Sequence, residues 1–279
     1  MTSLSAFLVT LLVSASALAQ QSGAVSTAAA GAGRAAVDPM ETPSLNPASL
    51  PYNRGYFITS DYAVLENGSG FTLGLLDNLA GTVVPTALIY NQINAQNLQK
   101  QAWSSQTGLL EMGEFSRSNL AVGLGVRYRV DNYGLVQNTQ TNLSLGTLFN
   151  LNPDVGFAAV VDNFLTPDGN VPTQYQLLPT TSFGFNYIYK KWARFKLDFL
   201  TGTSNDWGRP TLAGGVESHF NRWTVLRLGV SQSLDLNQQK YGMGFGFVGP
   251  RFAINYGYLS CPEDQNLNRH ALDLAIPIW

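Results

Sequence analysis

From Tyr52 onward the chain is written in short segments whose every second residue is apolar. The clearest is NLAVGLGVRYRVD, over 119–131. One alternate set holds Leu120, Val122, Leu124, Val126, Tyr128 and Val130, and the other holds Ala121, Gly123, Gly125, Arg127 and Arg129. A strand points successive side chains to opposite faces, so this one has a wholly apolar face and a small, cationic face. The split recurs. Phe195, Leu197 and Phe199 alternate with Arg194, Lys196 and Asp198, and Tyr241, Met243, Phe245 and Phe247 alternate with Gly242, Gly244 and Gly246. A soluble sandwich would bury the apolar face, whereas a membrane barrel would turn it to lipid.

Strands are predicted near 54–65, 70–77, 82–91, 107–116, 119–131, 141–150, 155–165, 180–189, 193–202, 211–220, 224–235, 240–248, 251–260 and 269–279. Each is close to the 9–11 residues that a tilted strand needs to cross a bilayer. The links between them distinguish the two readings. After every second strand the link is tight: DNLAG, SRSN, LNPD, KKWA, FNRW and VGPR. The intervening links are mostly longer and polar, as in NQINAQNLQKQAWSSQ and TPDGNVPTQYQLLP, with ENGSG and LNQQ as short exceptions. Short turns at one end and longer loops at the other, on an even strand count, are the pattern of an outer-membrane barrel. Trp192, Trp223 and Trp279, with Tyr52, Tyr56 and Tyr189, fall at the short-turn end. Such rings favour the headgroup level, so they predict an aromatic girdle there.

Composition agrees. Charged residues make up 12% of the 279 residues, about half the usual level for a soluble protein, while apolar content is an ordinary 45%. A net charge of −2 offers no basic patch for nucleic acid. The first residues, MTSLSAFLVTLLVSASALAQQ, carry an apolar run that ends in Ala17-Leu18-Ala19, without a Lys or Arg before it. That predicts a secretory signal peptide over 1–19, cleaved after about Ala19. No later apolar run approaches a spanning helix, so the exported chain is either soluble or a barrel.

The segment GAGRAAVDPMETPSLNPASL, over 31–50, resembles the N-terminal region of FadL-like outer-membrane proteins. The matching residues are Gly31, Gly33, Arg34 and Ala35, then Asn46, Pro47 and Ala48. The resemblance implies an all-β fold: an antiparallel transmembrane barrel of about fourteen strands, plugged by an N-terminal hatch. It also implies a location in the bacterial outer membrane. The domain division expected is a signal peptide over 1–19, a periplasmic or hatch segment over 20–52 and the barrel over 53–279. Relatives include transporters of long-chain fatty acids and other hydrophobic molecules, which implies a hydrophobic small-molecule ligand. This chain is short for such a transporter, and its compact loops favour the alternative, a barrel without transport that binds a partner or associates with its own copies.

Catalysis and cofactors have little to stand on. One cysteine, Cys261, and two separated histidines give no metal set, and no G-x-S-x-G nucleophile turn occurs,. The glycines of GMGFGF lie inside an alternating strand, not before a helix, so a nucleotide loop is excluded. They are expected to relieve crowding in a narrow lumen or let a plug approach the wall. Val25–Ala36 has helical potential. The candidate lumen residues are Arg127, Arg129, Arg194, Lys196, Asp198, Glu217, His219 and Arg227. Both signs occur, so they can pair with each other or with hatch carboxylates such as Asp38 and Glu41. Left unpaired, they would bias a water-filled path toward anions.

Overall fold

The computed structural model describes residues 23–38, 42–96, 102–133, 136–167, 169–172, 175–201 and 207–278. The signal segment 1–19, Glu41 and Trp279 lie outside the described residues. Fourteen strands form one closed antiparallel barrel, each beside its neighbour in sequence. They are β1 (Gly55–Leu65), β2 (Gly68–Asn78), β3 (Thr86–Gln96), β4 (Ala102–Arg117), β5 (Leu120–Tyr133), β6 (Val136–Asn152) and β7 (Val155–Asp162), then β8 (Thr180–Tyr189), β9 (Ala193–Leu200), β10 (Thr211–His219), β11 (Thr224–Ser233), β12 (Gln238–Val248), β13 (Ala253–Ser260) and β14 (Arg269–Ile278). The seam is made by β1 and β14, from Tyr56 opposite Ile278 to Leu65 opposite Arg269. Closure leaves no sheet edge, which a strand structure in hydrocarbon requires.

The opening ambiguity resolves on β5. Val122, Leu124 and Tyr128 are 43%, 36% and 53% exposed, while Ala121 and Arg129 are 0% and 1%. The apolar face is therefore outside, and the small and cationic face lines the lumen. Leu197, Leu228, Met243 and Phe245 continue the exposed apolar wall around the barrel. So continuous an apolar surface is unsuited to water and fits lipid. Among the described residues no helix is long and apolar enough to cross a membrane; the strands are the spanning elements.

Several strand limits differ from the sequence reading for one physical reason. β3 runs on through Asn91-Gln92, β4 begins at Ala102 and β6 begins at Val136. These polar stretches pair as regular ladder, with Gln92 opposite Gln106 and Arg129 opposite Gln140. Polarity shows that these residues leave hydrocarbon, not that the ladder ends. Much of the long polar link NQINAQNLQKQAWSSQ is thus hairpin, and the contrast in link length rests on the segments after β7, β9 and β13. β3 also starts late, because Pro85 follows the turn and leaves Val83 91% exposed.

The hatch threads the lumen. Its only helix before Thr42 among the described residues is Ala24–Ala28, shorter than the expected Val25–Ala36. Left-handed backbone at Ala30 (φ 51°), Gly31 (φ 92°) and Gly33 (φ 153°) breaks it, and glycine tolerates such angles. A short helix at Thr42–Leu45 and a 3-10 helix at Pro47–Tyr52 lead into β1.

Candidate functional site: a plugged lumen

Inward glycines set how closely the hatch approaches the wall. A Cβ on Gly113 of β4 would lie 2.6 Å from the Pro47 carbonyl oxygen, and one on Gly242 of β12 would lie 2.5 Å from that of Ala28. Gly123, Gly229 and Gly257 similarly face the backbone of Pro47–Ala48, Ala29 and Ala24. Gly242 and Gly244 thus admit the plug, whereas Gly246 leaves room for Asn255 and Arg227.

Polar contacts anchor the plug to the wall at Gly33, Arg34 and Asn46, while Gly31 and Ala48 bond within the hatch. Asp198 Oδ2 accepts from Gly33 N (2.9 Å), Arg34 N (3.1 Å) and Arg34 Nη1 (3.0 Å). Arg34 Nη1 also donates to the Gly31 carbonyl at 3.2 Å. Asn46 Nδ2 donates to the carbonyls of Arg34 (3.0 Å) and Thr147 (3.2 Å), while its Oδ1 caps Ala48 N at 3.0 Å. That cap fixes the start of the 3-10 helix, with Pro47 in its first turn, a position where a missing N–H costs nothing. At the far end of the plug, Ala24 N donates to Asp273 Oδ2 at 3.2 Å.

The lumen charges sort into two sectors. On β9–β11, Glu217 is a hub: its carboxylate lies 2.8 Å from Arg227 Nε, 3.4 Å from Lys196 Nζ and 3.4 Å from Arg194 Nη1. His219 Nε2 stands 3.6 Å away, on a half-exposed ring. The chain of contacts continues from Arg227 through Asn255 to Asp273, each step 2.8 Å, and so reaches the hatch. Asp38 adds its negative charge to the field at Arg227. On β4–β7, Arg129 Nε donates to Asp131 (2.8 Å) and Ser105 (3.0 Å), and Arg127 Nη1 donates to Asn163 Oδ1 (2.8 Å). Asp273 and Ser105 were not singled out from the sequence, although alternation along β14 and β4 puts both on the inward face.

The outer mouth holds a feature that the sequence reading took for an ordinary polar loop. β7 ends at Asp162, Asn163 adopts φ 54°, and the segment before β8 folds into the mouth. Val171, Tyr175 and Leu177 are buried there. The Tyr175 ring stacks on Tyr133 with centroids 3.8 Å apart and on Trp103 at 6.1 Å. Gln140 holds this lid through the Tyr175 carbonyl (2.9 Å) and Leu177 N (3.0 Å). The apolar residues punctuating TPDGNVPTQYQLLP were the available signal. Between the hatch and the barrel wall lies a cavity of about 270 Å³. Leu45, Leu65, Ile93 and Leu259 give it apolar walls, and Lys240 and Arg269 give it a cationic side.

The girdle is only partly as expected. Trp192 packs edge-on against Tyr189 at 5.8 Å, and Trp223 stacks on Phe247 at 6.2 Å. Tyr52 instead sits in the hatch, edge-on to Phe115 at 4.8 Å, and packs against buried Ala48 and Ala121. It belongs to the 3-10 helix and not to the wall.

A closed fourteen-stranded barrel with a lipid-facing exterior, a polar lumen and an internal plug defines a barrel of the outer-membrane type. No family model and no curated protein matches the sequence; solved structures match the fold. CymD, a monoaromatic hydrocarbon channel, superposes with a TM-score of 0.70 at 12% identity, over 92% of this chain and 97% of its own. A FadL homologue of Pseudomonas aeruginosa gives 0.64 at 11% identity, over 92% and 98%. The toluene transporter TodX of Pseudomonas putida gives 0.65 at 11%, over 93% and 99%. The chain has the fold of a divergent FadL-like barrel.

Proposed function

We propose that the protein is a passive bacterial outer-membrane channel for small hydrophobic or amphipathic molecules, without catalytic chemistry. The cavity of about 270 Å³ between the hatch and the barrel wall carries this reading. An apolar cavity of roughly 150 Å³ takes up benzene, so this one has room for a toluene-sized solute or part of an acyl chain. Its cationic side suits a polar or acidic head on such a molecule. The likeness to CymD and TodX, named as a hydrocarbon channel and a toluene transporter, supports the same reading. Solute enters past the Tyr175 lid and leaves either by displacing the hatch or sideways through the wall. The chain is exported by the segment 1–19, residues 20–52 serve as the hatch, and membrane lipid is the constant partner.

One observation favours a second reading, a barrel without transport that binds a partner or its own copies. Glu217 gathers Arg227, Lys196 and Arg194, Arg129 pairs with Asp131, and the hatch is pinned to the wall, as in a structural plug. Reconstitution separates the two. Uptake of radiolabelled toluene or a long-chain fatty acid into vesicles, together with conductance in planar bilayers, is expected to exceed empty controls. Tyr175→Ala is expected to raise uptake by loosening the lid. No uptake, no conductance and no effect of the lid variant would overturn the channel.

A further inference from the structure

The turn end of the barrel is sided in charge. Three successive turns along the wall, after β8, β10 and β12, carry Lys190, Lys191, Arg222 and Arg251, all exposed, and no acidic residue. Around the rest of this end, Asp154 in its turn and Glu114 and Asp77 near the ends of β4 and β2 are mixed with the cations Arg54 and Arg117. The basic sector is also the aromatic one, with Trp192 50% exposed and Phe220 80% exposed. Two of its cations lie over rings: Lys190 Nζ is 5.1 Å from the Tyr189 centroid, and the Arg222 guanidinium carbon is 4.6 Å from that of Trp223.

We propose that this sector binds the phosphate groups of anionic phospholipids in the leaflet at the turn end of the barrel. The rings set the depth, because indole and phenol settle at the headgroup level. Cations stacked on those rings are then held where lipid phosphates lie, and basic side chains at an anionic surface attract them. Arginine adds paired donors that match phosphate oxygens. On the other half of the circumference acids offset the cations, so the lipid shell is one-sided. The inference rests on the membrane-spanning reading and is independent of transport.

Purified protein is equilibrated with mixed micelles of phosphatidylglycerol and phosphatidylcholine, and retained lipid is counted by native mass spectrometry. Phosphatidylglycerol is expected to be retained preferentially. At about 1 kcal/mol per cation, each of Lys190→Gln, Lys191→Gln, Arg222→Gln and Arg251→Gln lowers that preference about fivefold. Arg117→Gln, in the acid-bearing half, is the charge-matched control and leaves it unchanged. Gel mobility with and without heating confirms that each variant keeps its barrel. Equal retention of the two lipids, or a folded quadruple variant with undiminished preference, would overturn the proposal. So would a sector that binds an acidic polypeptide and shows no lipid preference.

Discussion

Replacing Glu217 by Gln tests whether the lumen behaves as a packed, largely dry interior. Glu217 is almost fully buried, and Arg227 and Lys196 beside it are each only 3% exposed. Arg194 is a fifth exposed, and the His219 ring more than a third; solvent screens both, so they are discounted. A unit pair at 4 Å is worth about 4 kcal/mol at an effective dielectric of 20. Losing the shared carboxylate leaves two buried cations, of which Arg227 keeps Asn255 and Lys196 loses its carboxylate. Breaking a buried pair from one side costs about 3–5 kcal/mol, which is the expected loss for Glu217→Gln. Urea unfolding in lipid vesicles, followed by tryptophan fluorescence, measures it. Adding Lys196→Met to the same chain removes the stranded charge and is expected to recover at least about 1 kcal/mol. A single-variant loss below about 1 kcal/mol, the value of a solvent-screened pair, would refute the argument. It would mean that water fills the β9–β11 sector and that the hub lines an open path.

Other outcomes follow from the same geometry. Leu124→Arg, on the outer wall of β5, is expected to cost about 2–4 kcal/mol at mid-bilayer, read by the same unfolding assay; a neutral result would place that face in water. Gly113→Ala is expected to cost about 1–3 kcal/mol by overpacking, because its Cβ would lie 2.6 Å from the Pro47 oxygen and 3.0 Å from Pro51 Cδ. Gly108→Ala, whose Cβ meets nothing within 4 Å, is its silent control, and trypsin cleavage after Arg34 reports hatch release. Cys261, in the loop after β13, is fully buried, and burial pushes its thiol above the ordinary range against the lowering effect of its bond to the Asp264 backbone. Since the thiolate is the nucleophile, alkylation is expected to be far slower in folded than in urea-unfolded protein and to rise with pH. Equal rates would show an exposed loop.

Alternation and link pattern alone determined that this chain makes a barrel and which residues point into it. Lipid outside and polar groups inside reverse the usual partition, but the period of two survives the reversal, so Leu124 and Arg127 could be assigned opposite faces without coordinates. The N-terminal motif was visible as a segment, but the wall partners of Gly33, Arg34 and Asn46, namely Asp198 and Thr147, were not. Tertiary structure alone decided the rest. Which carboxylate meets which cation depends on strand register: Glu217 gathers Arg194 and Arg227 because β9, β10 and β11 set them opposite one another. Where strands end was hidden as well, because polar ladder above the membrane looks like loop. The lid was least legible, since the burial of Tyr175 comes from rings on Tyr133 and Trp103, distant in sequence. Periodicity is a property of the backbone, which every residue reports, whereas pairings and cavities arise from closing the sheet, which no single segment records.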